Sequence, residues 1–125
     1  MKVRPARRGE LPAIRTLIAI YPKQLVQDTI PKLKHFFVAE VNGQIMGCCA
    51  LEIYSRRIAE VRSLAVHAEA QGQGIATALI DACLHRAKAR RIFEVFTITG
   101  SIKLFARLGF RAFNREKFAL FKHMR

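Results

Sequence analysis

Acidic residues are scarce in this 125-residue chain: nine Asp and Glu stand against 22 Lys and Arg, a formal charge of +13. That balance points to an anionic partner or substrate without choosing among nucleic acid, an acidic membrane surface, a polyphosphate cofactor and a small carboxylate. Cysteines are few and odd in number. Cys48, Cys49 and Cys83 lie in apolar segments, where thiols act as small buried hydrophobes, so neither a disulfide framework nor a metal site is expected. His35, His67, His85 and His123 are scattered without ligand spacing, and no metal is predicted from them. No apolar run approaches the roughly 20 residues of a membrane helix, and no apolar leader separates Met1 to Arg8 from Gly9-Glu10-Leu11. A cytoplasmic protein with no membrane partner is the expectation. With 51% hydrophobic and 25% charged residues, the composition is globular, and the length suits one domain spanning residues 1–125.

Hydrophobic periodicity supplies the elements. Lys2 to Pro5 reads as a short strand, and Leu11, Ile14, Leu17, Ile18 and Tyr21 recur at helical spacing until Pro22 breaks the pattern. Gln24 to Leu33 is ambiguous, read as a loop-rich edge with a short helical piece ended by Pro31. Phe36 to Val41 and Ile45 to Tyr54 are β-like runs joined by Asn42-Gly43, a dipeptide suited to a tight hairpin because both positions tolerate positive φ. Ile58 to Val66 continues an antiparallel meander. Ile75, Ala78, Leu79, Ala82, Cys83 and Ala87 then form one stripe of a core-packed helix. Ile92 to Ile98 is a further strand, parallel to the one ending at Val66 because a helix connects them. Gly100 to Leu108 is a short helix stopped by Gly109, and Phe118 to Met124 a last strand. The class is α+β: a mixed, mostly antiparallel sheet with a parallel fourth and fifth strand pair.

Gln71-Gly72-Gln73-Gly74-Ile75-Ala76 lies between a strand and an amphipathic helix. Unpaired backbone N–H groups converge at such a helix start, where the helix dipole is positive, and glycines let an anion approach them. The spacing fits neither a dinucleotide-binding glycine fingerprint nor a Walker loop. An ordinary turn into a helix is the competing reading.

This segment resembles the Gln/Arg-x-x-Gly-x-Gly/Ala signature of the GNAT N-acetyltransferases, with Leu64-Ala65-Val66 before it as in that family's fourth strand. Leu104-Phe105-Ala106-Arg107-Leu108-Gly109-Phe110 is similar to the family's second conserved block, and the element order matches over essentially the whole chain. Ala59-Glu60-Val61-Arg62-Ser63-Leu64-Ala65-Val66 further resembles the acetyltransferase domain of bacterial N-acetylglutamate synthase. The resemblance implies helices covering both faces of the sheet and acetyl-CoA as co-substrate. Its pyrophosphate would lie on the backbone of Gln71, Gly72, Gln73, Gly74, Ile75 and Ala76. Its pantetheine arm would lie between splayed fourth and fifth strands, against the backbone of Leu64, Ala65 and Val66, with Phe105 at the late-helix position.

Attack on a thioester requires a neutral amine, so a carboxylate near the nucleophile is useful. Glu60 is the candidate base, set where several GNAT enzymes carry a catalytic glutamate, and a structural pairing with Arg62 is the alternative. Glu52 is the second choice. Many GNAT enzymes place a general-acid tyrosine where Phe105 stands here, so no acid is carried over. The segment before Phe36 and the tail after Phe110 are shorter than in glutamate-acetylating domains, and Asp28 falls where a basic residue is expected. Glutamate is therefore one possibility among small amine acceptors, and an anionic acceptor with a carboxylate beside its amine is expected, with Lys23, Lys32, Lys34 or Lys122 as carboxylate partners. Competing classes are an acyl-CoA-binding regulatory module without catalysis and, last, a basic nucleic-acid-binding protein. A homodimer is left open.

Overall fold

The computed structural model describes residues 1–112 together with Lys122 and Met124. Its elements are β1 (Lys2–Pro5), α1 (Leu11–Ala19), β2 (Phe36–Val41), β3 (Gln44–Ile53), β4 (Ile58–Val66), α2 (Ile75–Ala89), β5 (Glu94–Phe96) and α3 (Ile102–Arg107). Single 3₁₀ turns occupy Leu33–His35 and Ala68–Ala70. The strands lie in the order β1-β2-β3-β4-β5, antiparallel throughout except for the parallel β4–β5 pair. This is the α+β mixed sheet expected from the sequence. The strand expected at Phe118 to Met124 lies outside the described residues.

Strand alternation sorts the core into two layers. Phe36, Val38, Cys48 and Ala50 face Ile14, Leu17 and Ile18 of α1, whereas Phe37, Ala39, Cys49 and Leu51 face Ile75, Leu79, Ile80 and Cys83 of α2. Helices thus cover both faces. Ile80, absent from the sequence-derived stripe, is fully buried, while Ala78 is only half-buried. Gly47 of β3 allows the closest approach: a Cβ there would sit 2.8 Å from Ile75 Cγ2 and 3.0 Å from Leu79 Cδ1. The first turns of α2 are thereby pressed against the sheet.

Three local features differ from the sequence reading. Gln24 to Pro31 forms turns and bends without a helix, and only Leu33–His35 completes a 3₁₀ turn. β5 is confined to Glu94–Phe96. Ile92 is drawn into the exit of α2 by its bond to the Ala87 carbonyl, and Thr97 Oγ1 donates to the Val61 carbonyl at 2.8 Å, ending the ladder beyond Phe96. The third feature is a bulge in β4, where Ser63 and Leu64 together oppose Cys49 and Ser63 takes a left-handed φ of 58°. The extra residue reverses the alternation: Ala59 and Val61 face α2 before it, and Leu64 and Val66 do so after it.

Candidate functional site

β4 and β5 pair only through Ile58↔Glu94, Ala59↔Val95 and Glu60↔Phe96, yet β4 runs on to Val66 with β3 alone beside it. Past Glu60 the two strands part. A cleft of about 1100 Å³ opens between them, walled by β4 from Glu60 to Val66, by the start of α2, and by Thr97 to Ser101. The bulge at Ser63 and Leu64 lies in this wall. Cys48 Sγ lies 3.4 Å from the Ser63 carbonyl and Cys49 Sγ 3.8 Å from that of Arg62, so the adjacent thiols furnish weak donors to the two carbonyls that leave the regular ladder. Burial pushes the Cys48 thiol up to about 12, and a close contact with Cys83, added to burial, raises Cys49 well above the ordinary thiol range. Both therefore keep the proton they donate.

The inner end of the cleft is the N-terminus of α2. Gly74 is the N-cap, with φ of 78°, and has no side chain with which to cap the helix. The first intrahelical bond runs from Ala78 N to the Gly74 carbonyl at 3.1 Å, so the N–H groups of Ile75, Ala76 and Thr77 have no acceptor within the helix. No acidic side chain occupies the first turn to offset the positive end of the dipole. A Cβ on Gly74 would meet nothing within 4 Å, so this glycine serves the left-handed backbone and leaves the space before it open.

Gln71, Gly72, Gly74, Ile75 and Ala76 border the cleft, whereas Gln73 is exposed and does not. Leu64, Ala65 and Val66 form its wall. Their side chains are core, as expected: Leu64 and Val66 pack toward α2 and Ala65 toward α1. The Val66 carbonyl already has a donor, Tyr21 Oη at 2.5 Å, and that hydroxyl accepts from Gln71 Nε2 at 2.7 Å. This chain joins the exit of α1 to the end of β4 and to the glycine segment. Phe105 borders the cleft while only 4% exposed, its ring edge-on to Phe110 at 5.2 Å.

Glu60 stands half-buried where the strands separate. Its partner is Tyr54 rather than Arg62: Tyr54 Oη donates to Glu60 Oε1 at 2.7 Å, and its ring stacks on Phe96 at 6.3 Å. The Glu60 carboxylate, with partial burial second, raises the tyrosine's pKa, so the hydroxyl stays protonated. Glu52 lies directly across from Glu60 but turns to His35, 3.3 Å away, and does not border the cleft. Burial, aided by Lys34, Arg86 and Lys32, lowers His35 more than Glu52 raises it, so the ring that faces Glu52 is neutral near pH 7. Lys23, Lys32, Lys34 and Lys122 are exposed, and none borders the cleft, whose cations among the described residues are Arg62 and Arg107. Among the described residues no group of three or more His, Cys, Asp or Glu could hold a metal, and no helix is long and apolar enough to cross a membrane.

Sequence reasoning missed Tyr54 and the bulge, gave Tyr21 no part in the site, and read Arg62 only as a partner for Glu60. Tyr21 was visible only as the last member of the α1 stripe. The bulge did leave a trace, since apolar residues shift from odd positions, Ala59 and Val61, to even ones, Leu64 and Val66.

Comparison with known proteins agrees with this geometry. The acetyltransferase (GNAT) domain pattern matches residues 32–112. An uncharacterised N-acetyltransferase of Chlorobaculum tepidum is 34% identical over 122 residues, covering 93% of this chain and 79% of that protein. An amino-acid acetyltransferase of Mycobacterium tuberculosis is 34% identical over 116 residues, covering 86% of this chain and 67% of its own. A crystal structure of a Mycobacterium tuberculosis protein in complex with CoA superposes with a TM-score of 0.86 at 32% identity, over 91% of this chain and 74% of that one. N-acetylglutamate synthase from Neisseria gonorrhoeae, complexed with coenzyme A and N-acetyl-glutamate, shares the fold with a TM-score of 0.81 at 24% identity. That match spans 94% of this chain and 30% of the synthase.

Proposed function

The chain belongs to the GNAT acetyltransferase family and is an acyltransferase, and from that premise we propose that residues 1–125 form one domain transferring acetyl from acetyl-CoA to the amine of a small anionic acceptor. The observation that carries this reading is the opening between β4 and β5, which leads to an uncapped helix start. One end offers unpartnered N–H groups to a pyrophosphate; the other offers the exposed edge of β4 to the amide-bearing arm of the same molecule.

Acetyl-CoA supplies the activated thioester. The chain supplies the rest. Gly72, Gly74, Ile75 and Ala76 hold the phosphates, Gln71 is steadied by Tyr21, and Leu64, Ala65 and Val66 lend their backbone. Phe105 closes the apolar floor. Glu60 takes the proton from the acceptor amine, directly or through one water, while Tyr54 orients its carboxylate. No side-chain acid is needed on the leaving thiol, because a parent thiol pKa near ~8.5 makes the thiolate a tolerable leaving group.

An amino-acid acceptor is supported by the amino-acid acetyltransferase among the relatives and by the +13 charge, which attracts anions and repels polyamines. The test is a thiol-release assay with acetyl-CoA across amino acids, simple amines, spermidine and peptide amino termini. Saturable release with amino acids and little with spermidine is expected. Efficient acetylation of spermidine with amino acids inert would overturn the acceptor class. Tight acetyl-CoA binding with no release across the panel would support the non-catalytic regulatory module instead.

A further inference from the structure

Among the described residues, the charged ones bordering the cleft are Glu60, Arg62 and Arg107. Arg107 closes α3 and is exposed, whereas Arg62 is half-buried in β4, two residues beyond Glu60 and before the bulge, so the two share one face of the strand. Neighbours on one strand face with opposite charge would ordinarily pair, but here they meet through Tyr54, which donates to Glu60 and also contacts Arg62. Glu60 accepts from Tyr54, and Arg62 Nη2 donates to the Thr29 carbonyl at 2.9 Å, which ties it to the segment between α1 and β2. The ion pairs found among the described residues are Arg4 with Glu10 and Arg4 with Glu40, and neither involves Arg62. A guanidinium presents five N–H donors in a planar fork, so the Thr29 carbonyl and the Tyr54 hydroxyl anchor it and still leave donors for a further partner. The cleft wall therefore carries a positive and a negative side chain whose Cα atoms stand about 6.6 Å apart along the strand, with the Tyr54 hydroxyl touching both heads.

We propose that Arg62 binds the carboxylate of the acceptor and, with Glu60, selects an α-amino acid. This rests on the amine-acetylating reading above and names the residue that gives it specificity. An α-amino acid bears amine and carboxylate on one carbon, which lets the carboxylate meet Arg62 while the amine faces Glu60. An ω-amino acid separates the two groups by several carbons and overshoots one of the heads. An amine without a carboxylate, or an amino-acid amide, leaves the guanidinium half-satisfied in a cleft that the acceptor has partly dried. The side chain of the amino acid would then point away from β4, toward the Gln24 to Val26 edge of the cleft.

The experiment compares an accepted amino acid with its own α-carboxamide, with acetyl-CoA saturating. The wild type should prefer the acid by about 10²-fold in kcat/KM, or ~2.8 kcal/mol, the size expected of a charge-assisted contact. Arg62→Gln should raise KM for the acid by a similar factor, leave the amide nearly unaffected and leave KM for acetyl-CoA unchanged. Arg62→Lys should recover part of the loss for the acid, retaining charge without the fork. Equal losses for acid and amide would assign Arg62 to holding Thr29 in place and overturn the proposal, as would an unchanged preference in Arg62→Gln. If the wild type acetylates amines but no amino acid, the proposal falls together with the acceptor class, while membership of the acetyltransferase family is untouched.

Discussion

Glu60 gains its chemical meaning from a contact six residues away around a turn. Tyr54 donates to it at 2.7 Å and, kept protonated by that same carboxylate, fixes one oxygen while the other can face the cleft. A glutamate paired with an arginine would be a weaker base, because the positive charge favours the ionised form; with Arg62 held by Thr29, that pairing does not form. Replacing Glu60 with Gln keeps the shape and the acceptor for Tyr54 while removing the base. Turnover should fall on the order of 10²-fold with acetyl-CoA affinity unchanged, and the deficit should shrink at high pH, where the amine deprotonates without help. A pH-independent loss accompanied by a lower melting temperature would identify Glu60 as structural.

At the scale of elements, the decisive one is α2, whose stripe anchors it and whose first turn is left uncapped. Gly74 is required by its left-handed backbone whether or not a ligand binds, so a side chain placed there would mix strain with lost binding. Ala76 gives a cleaner test. It is the second helical residue, is half-buried, and borders the cleft. Ala76→Glu suits the positive end of the dipole and should leave thermal stability within a degree or two. The new carboxylate should nonetheless repel the pyrophosphate and weaken acetyl-CoA at least tenfold, or ~1.4 kcal/mol, in calorimetry. Unchanged affinity in a folded variant would place the phosphates elsewhere. The stripe of α2, the Asn42-Gly43 hairpin and the Gly72–Gly74 segment were legible in the sequence because each is encoded within a few consecutive residues. Contacts that finish the site were not. Tyr21 reaches Val66 across 45 positions, and Arg62 reaches Thr29 across 33 through a segment with no periodicity to read.

On the whole molecule, the +13 charge acts against the compact state, and its acidic side chains are too few to waste. Arg4, at 8% exposure, gathers two of them: it binds Glu10 through two bonds of 2.8 and 2.9 Å and Glu40 at 2.9 Å, joining β1 to the start of α1 and to β2. Hydrogen bonding to Arg4 lowers the Glu10 carboxyl below its usual value of 4.5, despite an opposing effect of burial, and a further bond from the Arg7 N–H acts in the same direction. A carboxyl that is more acidic when folded contributes stability fully above its unfolded pKa and loses it as pH falls through the folded value. Acid also removes every negative side chain while all 22 Lys and Arg and the four His are positive, so repulsion grows over the same range. Urea titrations should therefore show a stability gap between wild type and Glu10→Gln that is largest near pH 7, begins to close below about pH 4.5 and nearly vanishes well below it. Moderate salt should slow the acid loss in both proteins, because screening at a Debye length of roughly 8 Å or less acts on the diffuse repulsion more than on the close Arg4 contacts. A gap that stays constant from pH 7 to pH 3 would mean that Glu10 acts through packing at the start of α1 rather than through its charge.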